Sequence, residues 1–309
     1  MGKRISRSIE NFRPRQLSPM IFVLIPVFNR LPHTKRVVEA LRHQTLADEI
    51  RIVIIDDGST DGTASYLEQQ HDVIGLRGNG NLWWGGAIQK GLKYAMAHHQ
   101  SGDYVLFLNN DTWFDSDYVE TLIQVSRDAG GAAVGSVIHE DDKDPPLTSI
   151  GPRVNLNRIA VWDLFNELSP EQIRNPDPTY QVDALSGRGT LYPIEMFERY
   201  GHMRTFWLPH YLADYEIAMR FKRAGVPLLV SSHAAVHSPP VYGNDVSNMT
   251  WRARLFSRRS SSNIVRRLAF YMLVGSPLQR ITAPARMACF AFLRSIHQLK
   301  ISIKGNSLK

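Results

Sequence analysis

Four places in this chain gather side chains that can do chemistry. Asp56 and Asp57 stand together at the head of DDGSTDG, and Asn109, Asn110 and Asp111 follow the apolar run YVLFL. Asp214 and Glu216 lie in LADYE, and His237 lies in AAVHS. A carboxylate at the end of a buried strand has lost water and needs a partner. For Asp56 and Asp57, the base and ribose of a nucleotide offer amide and hydroxyl donors. The plain alternative is a helix N-terminus and its turn, where Asp, Gly and Ser are common. That alternative accounts well for Ser59 or Asp61 and less well for Asp56. Asp111 suits a hard divalent cation, Mg²⁺ or Mn²⁺, which takes one or two protein carboxylates and completes its shell with phosphate oxygen and water. Asn109 can add a neutral oxygen or a hydrogen bond to a sugar. Asp214, near a helix start, can serve as a general base or simply complement the helix dipole. His237 can ligate a metal, although an isolated histidine is more often structural.

These groups need strands to carry them. MIFVLIP, RIVIID, VIGLR, YVLFL and AAVGSVI are short apolar runs of the kind buried on both sheet faces. Between them, helical spacing covers residues 33–44, begins again near Gly62, runs from about Trp84 to His98, and restarts after Ser116. The alternation predicts an α/β fold, a mostly parallel central sheet with helices on both faces. Ligands of such sheets bind outside the carboxyl ends of the strands. VFNR, DDGSTDG and NNDT are three such ends, so they should meet at one crevice. Residues 139–183, rich in Asp, Pro and Asn, predict loops and an irregular sheet. LSGRGTLYP precedes a short helix, YLADYEIAMRFKRAGV is a longer one, and PLLVSSHAAVHS reads as a strand and its exit.

The net charge of +7 is unevenly spread. Residues 246–309 hold twelve Lys/Arg and no Asp/Glu, and residues 1–15 hold five against Glu10. Residues 16–245 carry nineteen basic and twenty-eight acidic residues. This divides the chain into a basic N-terminus (1–18), an acidic body (19–245) and a basic tail (246–309). Basic ends seek anionic surfaces. The tail alternates arginine pairs with apolar patches, as in RARLFSRRSSSNIVRRLAFYMLVG. A basic amphipathic helix of this kind lies in lipid headgroups, and packing on the body is the alternative. No base-stacking or groove-reading motif points to nucleic acid. The single cysteine, Cys289, excludes an internal disulfide framework and a cysteine-based zinc site. Residues 1–15 lack a signal-peptide core, and no run of eighteen apolar residues exists. The expected location is the cytoplasm, peripheral on the inner face of the cell membrane.

IPVFNR, IVIIDDGSTDGT, GNGNLWWGGAIQKGLKYA, YVLFLNNDT, SGRGTLYPIEMFERYG and ADYEIAMRFKRAGV occur in that order. Together they resemble the family 2 glycosyltransferases of the GT-A fold, especially bacterial surface-polysaccharide and rhamnosyltransferase-like enzymes, over about residues 20–240. The resemblance implies roles for particular residues. Pro26, Phe28 and Asn29 meet the nucleotide where the first strand ends, and Asp57, with Asp56, matches the carboxylate that contacts the base. Asn81, Trp84, Gly86 and Gln89 match the segment that closes over the nucleotide-sugar. Asn109, Asn110 and Asp111 occupy the DxD position, with Asp111 as the metal-binding member and Asn109 in place of its first Asp. Ser186, Gly187, Arg188 and Gly189 match the loop under donor sugar and acceptor. Asp214 matches the catalytic base, although Ala213 replaces the Glu before it, and Glu216 is the reserve. His237 stands where the family often has a histidine, which makes it a second metal ligand. Of the adjacent Trp83 and Trp84, the reading expects one buried and one lining the site.

The resemblance implies inverting, metal-assisted sugar transfer. The donor is a dTDP- or UDP-sugar. The acceptor is a glycan or a polyprenyl-diphosphate-linked glycan of O-antigen or capsule type. A sugar nucleotidyltransferase is the nearest competing enzyme, but PVFNRLPHT lacks the glycine-rich phosphate loop it would need. A non-catalytic carbohydrate- or nucleotide-binding module is the other alternative. The joint presence of Asp57, Asp111 and Asp214 counts against it.

Overall fold

The computed structural model describes residues 18–144, 146–239, 249–258 and 260–289. Four strands open the fold: β1 (Ile21–Val27), β2 (Ile50–Asp56), β3 (Val73–Arg77) and β4 (Tyr104–Phe107). They are joined by α1 (Leu31–Arg42), α2 (Thr63–Glu68) and α3 (Trp83–His98). Helix α4 (Tyr118–Asp128) leads into β5 (Ala133–His139). Then come β6 (Leu147–Ser149), β7 (Pro152–Asn155), β8 (Ala160–Asp163), α5 (Pro170–Arg174), β9 (Thr179–Gln181) and β10 (Thr190–Pro193). The remaining elements are α6 (Glu195–Tyr200), α7 (Ala213–Arg223), β11 (Leu228–His237), α8 (Trp251–Phe256) and α9 (Ile264–Val274). Residues 277–289 are helical as well.

The main sheet runs β3-β2-β1-β4-β10-β5-β11-β9, with β6 beside β5; β7 and β8 form a separate hairpin. Strands β3, β2, β1 and β4 are parallel, as are β5 and β11. The apolar runs that make these strands are buried on both faces, with alternate residues serving opposite layers. Phe22 and Leu24 pack with Ile88 of α3, Phe197 of α6 and Ile217 of α7. Ile21, Val23 and Ile25 pack with Val37 of α1 and Val119 of α4.

The sheet is mostly parallel, as expected. Strand β10 lies antiparallel between β4 and β5 and interrupts the parallel strands near the centre, and β9 and β6 are antiparallel to their neighbours at the far side. The interruption has a consequence for the site. It carries the segment before β10 to the carboxyl end of β4, where the Gly189 amide donates to the Phe107 carbonyl at 2.9 Å. Gly189 has φ +82°, and a Cβ there would stand 2.4 Å from the Tyr118 hydroxyl. Only glycine makes this crossing without strain.

The basic tail does not begin with a break in packing. Phe270, Tyr271 and Val274 of α9 are buried in the same core layer as α7. No helix among the described residues is long and apolar enough to cross a membrane.

Candidate active site

The carboxyl ends of β1 and β4, the start of α3, the 185–188 loop and the start of α7 enclose a cavity of about 1080 Å³. That is slightly more than the usual span for one small ligand.

Register sets its floor. Val27 pairs with Asp56, so Phe28 and Asp57 emerge at one level, while β4 ends lower, with Phe107 opposite Leu24, and the 108–111 segment climbs from there. Asp57 is buried, and both of its oxygens are engaged. Oδ1 accepts from the Gly80 amide at 2.8 Å, and Oδ2 from the Leu82 and Trp83 amides at 2.9 and 3.0 Å. The carboxylate thus caps the start of α3, where amides otherwise lack partners. It holds Trp83 at φ +59°, an uncommon conformation for so large a residue. Asp56 is likewise buried and accepts from the Ser59 amide at 2.9 Å. It does not line the cavity, nor does Asn29, whose side-chain oxygen accepts from the Thr60 amide. Pro26 and Asn81 are on the wall, as is Phe28, whose ring is 57% exposed.

Asp111 lies on the opposite wall. Its Oδ2 takes an ion pair from Arg30 at 2.8 Å, while its Oδ1 is buried with no hydrogen-bond partner. An unpaired buried carboxylate oxygen is costly, and a hard cation is the ligand that such an oxygen suits. The residues therefore fit a divalent cation through one protein oxygen, with phosphate oxygen and water supplying the rest. Among the described residues, no group of three or more His, Cys, Asp or Glu is arranged to hold a metal ion by itself. His237 is close to this corner through its backbone, which pairs with Trp113. Its side chain turns to Asp141 at 2.5 Å and is not on the cavity wall.

A chain of contacts joins the 109–111 corner to the other carboxylate. Asn109 Oδ1 accepts the indole N–H of Trp84 at 3.1 Å. The Trp84 ring lies so close to Gly187 that a Cβ there would be 1.9 Å from it. The Gly187 amide donates to Asp214 Oδ2 at 2.9 Å, and the Tyr215 amide donates to Oδ1 at 3.0 Å. Burial pushes the Asp214 carboxyl up to about 6, against those two backbone hydrogen bonds and the nearby charge of Arg188. A carboxylate held there is mostly ionised at neutral pH and still basic enough to take a proton. Glu216, two residues on and on the opposite side of α7, is 1% exposed and clamped by Arg220 at 3.1 Å and Arg204 at 3.5 Å. It faces away from the cavity and ties α7 to the 202–204 segment.

The remaining sequence candidates divide. Asn110, Ser186 and Arg188 line the cavity with Asp214. Gly86, Gln89 and Gly189 do not, and Gln89 instead accepts from the Met203 amide at 2.9 Å. Both tryptophans, not one, reach the wall. Sequence reading passed over His210, whose partner is Trp83 at 5.6 Å between ring centroids. Burial pushes the His210 imidazole down to about 4, so it is neutral at pH 7. Its Nδ1 and the Trp83 Nε1 are both buried without partners at the cavity. Nothing local in WLPHYL marks that histidine. The signal would have been Gly85, whose amide donates to the Pro209 carbonyl at 2.8 Å and whose missing Cβ lets the two segments touch.

Asp111 and Asp214 thus line one cavity beyond the carboxyl ends of β1 and β4. Residues 22–201 match the domain described as glycosyl transferase family 2. The chain belongs to that family. Asp214 and α7 lie just beyond the matched residues.

Curated relatives agree with the assignment. An N-acetylglucosaminyltransferase of Bradyrhizobium diazoefficiens is 24% identical over 76% of this chain and 49% of its own length. The putative glycosyltransferase EpsH of Bacillus subtilis is 28% identical over 36% of this chain and 31% of its own. A Campylobacter jejuni GalNAc(5)-diNAcBac-PP-undecaprenol beta-1,3-glucosyltransferase is 29% identical over 40% of each chain. The chain thus spans about half or less of the length of these relatives. Among solved structures, GalNAc-T7 with UDP, GalNAc and Mn²⁺ shares the fold at a TM-score of 0.56. It is 15% identical, over 72% of this chain and 44% of that one.

Proposed function

We propose that this protein catalyses inverting transfer of a hexosyl or rhamnosyl group from a dTDP- or UDP-sugar to a hydroxyl of a glycan or polyprenyl-diphosphate-linked acceptor. The setting would be surface-polysaccharide synthesis at the cytoplasmic face of the membrane, with the basic tail in peripheral contact. The observation that carries the reading is the pairing of two unlike carboxylates in one cavity. Asp111 keeps a bare, buried oxygen, and burial raises the Asp214 carboxyl to about 6. Two carboxyl groups driven apart in this way are suited to different tasks.

Asp214 takes the proton from the acceptor hydroxyl as that oxygen attacks the anomeric carbon from the face opposite the diphosphate. The new C–O bond forms as the bond to the diphosphate breaks, and the electron pair leaves on the phosphate oxygen. Asp111, through its unpaired Oδ1, would hold a Mg²⁺ or Mn²⁺ ion, which would supply charge neutralisation to that diphosphate. Arg30, already paired with Asp111, adds a second positive charge at the same corner. Asp57 contributes indirectly, by fixing the 80–83 backbone that walls the nucleotide side. Phe28 offers a face for the base. The neutral His210 and the Trp83 indole offer two unfilled polar atoms for sugar hydroxyls.

The test is a thermal-stabilisation screen of UDP- and dTDP-sugars with Mn²⁺ or Mg²⁺, followed by a transfer assay with the best donor. The reading predicts stabilisation by at least one nucleotide-sugar and release of its diphosphonucleoside. Stabilisation by a sugar 1-phosphate together with a nucleoside triphosphate, with pyrophosphate released, would favour a nucleotidyltransferase.

A further inference from the structure

The loop between α6 and α7 exposes two adjacent aromatics, Phe206 at 80% and Trp207 at 51%. Large apolar side chains scattered singly need no explanation, but clusters of them do. These two have company. The Arg266 guanidinium of α9 donates to both the Phe206 and Trp207 carbonyls, at 3.0 and 2.7 Å. That contact brings the first turn of α9 to the loop, and with it Val265, which is 56% exposed. Asn263, the N-cap of α9, donates to the carbonyl of Phe256 at 2.9 Å. Phe256 ends α8 and is also exposed. Four exposed apolar residues from three segments are therefore tied to one neighbourhood by side-chain hydrogen bonds to backbone carbonyls.

The same neighbourhood is strongly cationic. A small cleft has Arg258, Arg266 and Arg267 on one side and His210, Tyr211 and Leu212 on the other. Arg258 is close enough to Arg266 to depress its pKa, after the larger effect of burial. Residues 246–309 supply no acidic side chain to offset these charges. The 210–212 segment also lines the main cavity, directly before Asp214. The patch and the cavity thus share one wall.

We propose that Phe206, Trp207, Phe256 and Val265, with Arg258 and Arg267, form one docking face for an anionic phospholipid bilayer. The proposal deepens the membrane contact of the function above and rests on that reading for its purpose. Aromatic and aliphatic side chains enter the headgroup boundary while arginines meet lipid phosphates, the arrangement of interfacial anchors. Each arginine near an anionic surface is worth about 1 kcal/mol, or roughly fivefold in partition. A symmetric second copy is the poorer occupant, because a two-fold contact would set these arginines against their own equivalents. Docking through this face brings the α7 end of the cavity to the lipid, where an acceptor on a lipid diphosphate would present its sugar.

The experiment is co-sedimentation of the full chain with phosphatidylcholine vesicles, with and without phosphatidylglycerol, at low and high salt. No donor or acceptor is present, so a failure here leaves the transfer reading standing, and a failed transfer assay leaves this face standing. The expected result is binding that requires phosphatidylglycerol and weakens with salt. Phe206→Ser with Trp207→Ser and Val265→Ser should lower partition about tenfold or more, and Arg258→Glu with Arg267→Glu about 25-fold or more. Melting temperature and nucleotide-sugar stabilisation should be unchanged in both variants. Three outcomes would overturn the proposal. The first is no vesicle binding, or binding indifferent to phosphatidylglycerol. The second is unchanged binding in both variants. The third is a dimer in solution that the same substitutions dissociate, or a lowered melting temperature with binding intact, either of which would mean that protein covers this face.

Discussion

Asp214 stands to make the fold less stable in return for its chemistry, and the cost can be measured without knowing the substrate. Its carboxyl is raised from 3.8 to about 6, chiefly by burial. A folded-state value above the unfolded one means that the unfolded chain loses the proton first as pH rises. The native state is therefore favoured below about pH 3.8 and loses that advantage progressively up to about pH 6. A shift of about two units corresponds to about 3 kcal/mol at pH 8, of which about 1 kcal/mol is already lost at pH 4.5. Asp214→Asn keeps the shape of the neutral acid, and its single carbonyl oxygen can accept one of the two amides, Gly187 or Tyr215, that the carboxylate accepts. The variant should be more stable than the parent at pH 8, and its advantage should shrink by about 2 kcal/mol on going to pH 4.5. Urea unfolding of both proteins across this range reads the difference directly, since other titrations cancel between them. Nucleotide-sugar stabilisation should persist and turnover should fall by several orders of magnitude. A variant that is no more stable at pH 8, or whose advantage is the same at both pH values, would refute the raised carboxyl. Full turnover would refute the base.

Three other outcomes follow from the same geometry. With the best donor, turnover should rise with pH through an apparent value near 6 and then level, because Asp214 acts ionised; a rate independent of pH from 5 to 8 would contradict that role. Asp111→Asn should abolish the extra thermal stabilisation that Mn²⁺ adds to a bound nucleoside diphosphate, an effect of about 2.7 kcal/mol at a hundredfold excess over Kd. It should leave cation-free nucleotide binding within a fewfold. Gly187→Ala should destabilise by about 1–3 kcal/mol, since its Cβ would fall 1.9 Å from Trp84. It should also move the pH–rate limb upward as the Gly187 hydrogen bond to Asp214 lengthens; Trp84→Ala in the same background should relieve the clash and restore stability in unfolding experiments.

The strands were legible because burial on both faces leaves a run such as IFVLI no polar position, and because alternating helices leave parallel pairing as the usual arrangement. Strand β10 was not legible for a related reason. Four residues, TLYP, carry no mark of direction, and antiparallel insertion is decided by β4 and β5, more than fifty residues earlier. The site shows the same division. Residue type at a strand end marked Asp57 and Asp111, and the family resemblance marked Asp214 at a helix start, but type alone does not say which lone pairs are already filled. Asp57 is filled by three amides of a turn that begins more than twenty residues later, whereas Asp111 retains a bare oxygen. Asn109 carries the point furthest. As a member of DxD it is a missing charge. In the structure its oxygen accepts the Trp84 indole, and that indole presses on the glycine whose amide holds the base. An aspartate there would accept the same hydrogen bond but would add a buried negative charge beside Asp111, already carrying one oxygen without a partner. The amide keeps the Trp84 hydrogen bond and omits the second negative charge, so the residue that weakens the likeness to DxD leaves the contacts from Trp84 to Gly187 and Asp214 in place.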